Sequence, residues 1–396
     1  MFKCLFKLVS TLMICTLLLS ACWSSREIEE QSVYVGMALD IANKSERDKQ
    51  LEAQGGITEV DSLITATLQI VPIKSVKGNQ PKEEGGVKKY LNDSETGDSI
   101  FEILRKYALK RDRAVIGHHM KVFIISTELL EKIDISTLSD FILRDNDLRP
   151  SCMVFLARSK AADALETNQP DEIPAFYIRN MTLNKYRNNE ILDGVILTNL
   201  DQYIESKQSF ILQNIASYQG ESEFAGAGII KGATGKWIGN LTQEDVSSIS
   251  WVRGEGKGGL LKAVDENNKI IVYEIKSLKT KVIPKVDGGR MTFQVNINSE
   301  GRLIENWDNR VDVSKIDVQT RMEELFEERL ATMIQNLMNK LQKEFKVEVA
   351  GFGERLKITH PKVWQKVKKD WDEVFSDADV NVTIKLKITD YGSSAE

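Results

Sequence analysis

Apolar positions in this chain change period repeatedly, and each period names a kind of element. SVYVGMALDI and SLITATLQIV are β-branched, apolar runs that read as strands, the second stopped by Pro72. The polar stretches at 43–61 and 74–86 have no periodicity and read as loops. Asp98 can cap a helix in DSIFEILRKYALKR, with Ile100, Ile103, Leu104 and Tyr107 on one face. HMKVFIIS reads as a buried strand, TLSDFILRD as a short helix and SCMVFLARS as another buried strand. Strand alternating with helix predicts a mixed sheet covered by helices.

After residue 167 the pattern loosens. IPAFYIRNMTLNKYR reads as helical, with Pro174 in its first turn. SFILQNIASY, EFAGAGIIKG and KWIGNLT read as strands separated by glycine turns, and QEDVSSISW as a helix. In the last third, KIIVYEIKSLKTKVI and RMTFQVNIN are strands joined through KVDGG. A long helix is predicted over 314–345. Val318, Met322, Leu325, Leu330, Met333, Leu337, Leu341 and Phe345 form its apolar stripe, with acidic residues early and basic residues late. HPKVWQKVKKDWDEVF reads as a second helix. DVNVTIKLKITD alternates strictly, so Val380, Val382, Ile384, Leu386 and Ile388 share one packed face.

The expected fold is therefore mixed α+β, with three domains each built on a β-sheet with covering helices. Their expected bounds are 22–168 (N-terminal α/β), 169–259 (middle) and 260–396 (β-β-α-α-β).

Residues 1–21 have the form of a leader. Lys3 and Lys7 supply positive charge, and 8–19 is an apolar run too short to span a bilayer as a helix. The run ends in Leu19-Ser20-Ala21-Cys22, a lipobox. Cleavage is expected between Ala21 and Cys22, leaving Cys22 to carry S-diacylglycerol, with or without an N-acyl chain. Diacylglycerol brings two acyl chains, enough for stable anchoring where one chain is marginal. Trp23 then falls at headgroup level.

Charge and cysteine content narrow the function. The net charge is −5, and loss of Lys3 and Lys7 makes the mature chain more acidic, which excludes a basic nucleic-acid-binding surface as the dominant feature. Of four cysteines, Cys4 and Cys15 lie in the leader and Cys22 is the lipidation site. Cys152 alone remains, in an apolar run, so no intramolecular disulfide is expected.

A search for catalytic or metal chemistry finds none. His118 and His119 are adjacent and would point apart on a strand, and His360 precedes Pro361, so no metal-ligand spacing exists. Gly254, Gly256 and Gly259 match G-x-G-x-x-G, but strand and turn follow where a helix is required, so RGEGKGG reads as a flexible loop. GATGKW lacks the Ser/Thr and upstream glycine of a phosphate loop. Asp145 and Asp147, flanked by Arg144 and Arg149, read as local ion pairs or turn caps. No enzyme, cofactor or metal is predicted.

Several segments together resemble one family, the C-subunit lipoproteins of nutrient germinant receptors in endospore-forming bacteria (the Ger(x)C family). They are CWSSREIEE, FILRDNDLRPSCMVFLAR, FAGAGIIKGATGKWIGNLTQED, WVRGEGKGG and WQKVKKDWDEVFSDADVNVTIKLKITDYGS, in the expected order. Ser24 and Ser25 stand where the family has an acidic residue soon after Cys-Trp. The resemblance implies a non-enzymatic subunit needed for the spore germination response. It implies two integral membrane subunits as partners and places the chain on the outer face of the spore's inner membrane. Cys22 matches the family's lipid-bearing cysteine. From the residues alone, a solute-binding lipoprotein of a transporter is the alternative, and an extracytoplasmic hydrolase a third.

Overall fold

A computed structural model of the chain describes residues 31–42, 64–72, 88–288 and 290–392. The leader, Cys22, Trp23 and the loops expected at 43–61 and 74–86 lie outside the described residues.

The β-branched runs of the first half form one mixed sheet of nine strands. These are β1 (Gln31–Ile41), β2 (Ile64–Val71), β3 (Leu91–Gly97), β4 (Ala114–Ile116), β5 (Val122–Ser126), β6 (Met153–Ala157), β7 (Phe210–Tyr218), β8 (Glu221–Lys231) and β9 (Lys236–Leu241). The order is β3-β2-β1-β5-β6-β7-β8-β9, with β4 also paired to β1. Strands β1, β5, β6 and β7 are mutually parallel, and antiparallel pairs extend both ends. Parallel strands are buried on both faces, which explains why VFIIS and MVFLA are unbroken apolar runs.

One face of this sheet packs α1 (Ile100–Lys106), α2 (Thr127–Lys132) and α3 (Ile135–Arg144) through residues such as Ile103, Leu130 and Leu138. The other face packs α4 (Pro174–Met181) through Ala175 and Ile178. Ser99, one residue beyond the expected Asp98, is the cap of α1, its hydroxyl accepting from Glu102 N at 3.5 Å. Ser126 and Asp134 cap α2 and α3 in the same way. Helix α5 (Leu197–Ser206) adds Leu197 and Leu200 to the first face.

The segment 169–259 does not close on a sheet of its own. β7 pairs with β6 at Leu156–Asn214 and Ala157–Ile215, so β7–β9 continue the first sheet and the described strands form two sheets. The mixed α+β class stands. Register between strands so far apart in the chain is set by packing, which local periodicity does not reveal.

The second sheet has the order β10-β11-β12-β13, comprising β10 (Leu260–Val264), β11 (Ile270–Asp287), β12 (Arg290–Asn306) and β13 (Asp379–Asp390). β13 runs parallel to β12, as a return crossing through helices requires. The long helix appears as α7 (Ile316–Asn339), prolonged by a π-turn at Lys340–Glu344. Three helices follow: α8 (Phe352–Thr359), α9 (Pro361–Val367) and α10 (Trp371–Ser376). The single helix expected from HPKVWQKVKKDWDEVF is thus two, broken where Lys368, Lys369 and Asp370 offer the core no apolar side chain. Trp364 and Trp371 nevertheless meet edge to face at 5.4 Å. The expected β-β-α-α-β order therefore gains β10 in front and α8 in the middle.

Between the two sheets lies α6 (Gln243–Arg253), buried from Asp245 through Val252. Its serines are satisfied by Asn189 and by the helix's own backbone. Ser247 accepts from Asn189 Nδ2 at 2.9 Å, Ser250 donates to Asn189 O at 2.8 Å and Ser248 to Glu244 O at 2.8 Å. Buried side chains around the whole helix, from Ser247 to Trp251, mean it is surrounded, which is why QEDVSSISW shows no one-sided stripe.

Candidate functional site

Nine residue steps separate Cys22 from Gln31, an upper reach of ~30 Å. Because β1, β4, β5 and β6 are parallel, β1 begins at the same edge as the β4–β5 turn and the loop before β6. His118 and His119 occupy that turn instead of a strand. His118 Nε2 lies 3.4 Å from Asp147 Oδ1, and Asp145 Oδ1 accepts Asp147 N–H at 2.9 Å. Arg144 pairs with Asp140 at 2.8 Å, so the two aspartates serve a turn and a histidine. Burial, then Arg149 and Lys121, hold His119 below its ordinary value. Cys152 is fully buried beside this edge, and burial pushes its thiol far up, which makes it inert. His360 sits between α8 and α9, its Nδ1 2.9 Å from Thr359 Oγ1.

A cleft lies at the opposite ends of the strands. It measures about 710 Å³ and is lined by Glu166, Thr167, Glu172, Tyr177, Tyr218 and Glu223, among others. Every lining residue comes from the unit of the first sheet. Its acids are partly engaged: Glu166 accepts from Lys88 at 2.8 Å and Asn92 at 2.9 Å, and Thr167 donates to Glu172 at 3.5 Å. Burial raises Glu166, but the Lys88 and Asn92 hydrogen bonds outweigh it and leave the carboxyl below its ordinary value. A carboxylate held ionised in this way is a poor general acid.

The glycine motifs serve packing. Gly254 ends α6 in the left-handed conformation, with φ 75°. Gly258 donates to Ile275 O at 3.1 Å and Gly259 O accepts from Ile275 N at 2.9 Å, so the loop expected to be flexible is fixed to β11. A Cβ on Gly258 would lie 1.9 Å from Tyr186 O. GATGKW is the β8–β9 turn, closed by Gly235 N–H to Lys231 O at 2.8 Å. Among the described residues no group of three or more His, Cys, Asp or Glu could hold a metal ion, and no helix is long and apolar enough to cross a membrane.

A polar junction that the sequence reading missed joins the two sheets. Glu348 is buried and accepts four hydrogen bonds: Ala350 N (2.6 Å), Gly351 N (2.7 Å), Gly353 N (2.8 Å) and Trp371 Nε1 (3.0 Å). Its own N–H donates to Asp372 Oδ1 at 3.0 Å, while Asp372 Oδ2 accepts a hydrogen bond from the Ser209 hydroxyl at 2.6 Å. Lys231 donates to Lys346 O at 2.8 Å, Arg253 to Val349 O at 2.6 Å and Lys340 to Asp245 at 2.6 Å. The only local signals are the glycines in VEVAGFG, which leave backbone N–H groups free to surround one carboxylate.

Comparison with known proteins accounts for nearly the whole chain. Residues 24–217 match the family "Spore germination protein N-terminal domain", and residues 225–392 match "Spore germination B3/ GerAC like, C-terminal". Spore germination protein YndF of Bacillus subtilis is 36% identical over 98% of this chain and 96% of its own length. Spore germination protein B3 of the same organism is 27% identical over 97% of each. The crystal structure of the GerBC protein superposes with a TM-score of 0.60 at 25% identity, covering 82% of this chain and 93% of that one. With both halves of the chain matched in order, it belongs to the Ger(x)C family of spore germination proteins.

Proposed function

We propose that this chain is a lipid-anchored, non-enzymatic subunit of a nutrient germinant receptor. Cys22 carries the diacylglycerol, and the folded body stands on the outer face of the spore's inner membrane beside two integral membrane subunits. The observation that supports this best is the family match beginning at residue 24, directly behind Leu19-Ser20-Ala21-Cys22. The inert buried thiol, the hydrogen-bonded cleft carboxylates and the packed glycine loops fit a structural subunit. On this reading the lipid confines the body to the membrane plane, converting partner encounter into a local event of high effective concentration. Spores lacking the chain should fail to release their core solutes in response to at least one nutrient, while responding normally to non-nutrient triggers. An unchanged response across a broad nutrient panel would remove the reading.

A further inference from the structure

One face of the second sheet packs on the helices; the other is open and strongly cationic. Lys279, Lys281 and Lys285 of β11 and Lys385 and Lys387 of β13 all point outward and are exposed. Glu300 of β12 is the one acidic side chain among their direct cross-strand partners outside the rim pair of Arg290 and Asp379. The rim cations are paired: Lys276 with Asp390 (2.8 Å), Arg290 with Asp379 (2.8 Å) and Arg302 with Glu274. The five face lysines make no ion pair among the described residues. This clustering occurs on a chain whose net charge is −5.

Between the lysines runs a ridge of amides and hydroxyls. Asn298 stands between Lys279 and Lys385 in one cross-strand row, and Asn296 between Lys281 and Thr383 in the next. Gln294 Nε2 donates to Thr383 Oγ1 at 3.0 Å. At a strand spacing of ~4.8 Å the Lys279–Asn298–Lys385 row sets two like charges ~10 Å apart across the sheet. Such repulsion lowers stability and is relieved when carboxylates arrive. The exposed Val264, Ile304 and Trp307 lie at the far, β10 end of the sheet, where the Trp307 indole donates to Glu305 Oε2 at 3.0 Å, away from the lysines. Lysines set around a ridge of amides and hydroxyls have the polar, charged composition of an interface rim. A lipid surface would not reward the directional amide ridge, and a glycan would want aromatic rings among the lysines, where there are none.

We propose that this open face of the second sheet docks an acidic surface of a protein partner, its carboxylates meeting the lysines and amides. The proposal rests on the reading that the chain works within a receptor assembly. Its test is site-specific photocrosslinking of the full-length, lipidated chain in spores. The probe is placed at Thr383 in the middle of the face, with Leu183 on the first unit as control. The expected product is a protein adduct at 383 and not at 183, with the captured peptide rich in Asp and Glu. Lys279→Glu/Lys281→Glu/Lys385→Glu should lower its yield about tenfold or more, and Gln at the same three positions should give an intermediate loss that shows the fold is intact. An adduct to lipid or glycan, an adduct insensitive to charge reversal, or no adduct overturns the proposal. If spores lacking the chain respond normally to nutrients, the receptor reading fails, while the adduct still decides the docking face.

Discussion

The Ser209 hydroxyl donates to Asp372 Oδ2 at 2.6 Å and so ties the start of β7 in the first sheet to α10, which covers the second. The same hydroxyl accepts Gly232 N–H at 2.9 Å, and the other oxygen of Asp372 accepts Glu348 N–H at 3.0 Å. One carboxylate thus closes the seam between the units. Asp372→Ala should cost about 2–3 kcal/mol in denaturant unfolding, because buried donors lose their acceptor, and Ser209→Ala about 1 kcal/mol. Burial holds the folded Asp372 carboxyl above its ordinary 3.8, against the hydrogen bonds that favour the ionised form. The folded state therefore binds this proton more tightly than the unfolded chain. The contribution to stability is greatest in acid and declines as pH rises from about 4 through the raised folded value. Asp372→Asn should flatten that part of the stability–pH curve.

Glu348 is the deeper partner in this seam. With four donors aimed at it, removal by Glu348→Ala should cost about 3–5 kcal/mol, and Glu348→Gln less, since the amide oxygen can keep some of the bonds. Thermal melts of the two variants should separate in that order. Equal melting of both with the parent would show that the cradle does not hold α8.

The outer edge of β13 is closed by side chains from α7. Glu327 Oε1 accepts Leu386 N–H at 2.8 Å and Glu323 Oε1 accepts Ile388 N–H at 2.7 Å. An open edge invites pairing with another chain, and these glutamates occupy it. Glu323→Ala and Glu327→Ala should each cost about 1 kcal/mol. They should also speed hydrogen exchange selectively at Ile388 and Leu386, respectively, measured amide by amide.

Close approach between the units also depends on Gly239. A Cβ there would lie 2.3 Å from Phe345 Cε1, at the end of the π-turn after α7. Gly239→Ala should therefore destabilise by about 1–3 kcal/mol. Trimming the ring in Gly239→Ala/Phe345→Leu should recover part of that loss, a coupling that a double-mutant cycle reads directly.

Elements with a single period were legible in the chain. β13 alternates residue by residue, α7 has an apolar stripe, and β5 and β6 are short, uninterrupted apolar runs; each pattern reports the surface the element faces. α6 has no stripe because it is enclosed on every side, and its serines look polar until Asn189 is placed beside them. The Glu348–Asp372–Ser209 seam joins positions far apart in sequence, each unremarkable in its own window. The continuity of the first sheet through β7 was hidden for the same reason, since Leu156 and Asn214 are brought together only by the fold. The cationic face was present in the alternation of β11 and β13, but its coherence needs their common partner, β12. The lipobox is an expectation from the sequence alone, and Cys22 lies outside the described residues.

The most direct measurement is on Cys22. Spores expressing the chain with Cys22→Ala, and the parent chain, are compared for incorporation of a labelled fatty acid, membrane fractionation and nutrient-triggered germination. A lipid-anchored receptor subunit predicts that the variant takes up no label, leaves the membrane fraction and supports little or no response to nutrient, at unchanged folded abundance. An unlabelled variant that still germinates at the parent rate would contradict it.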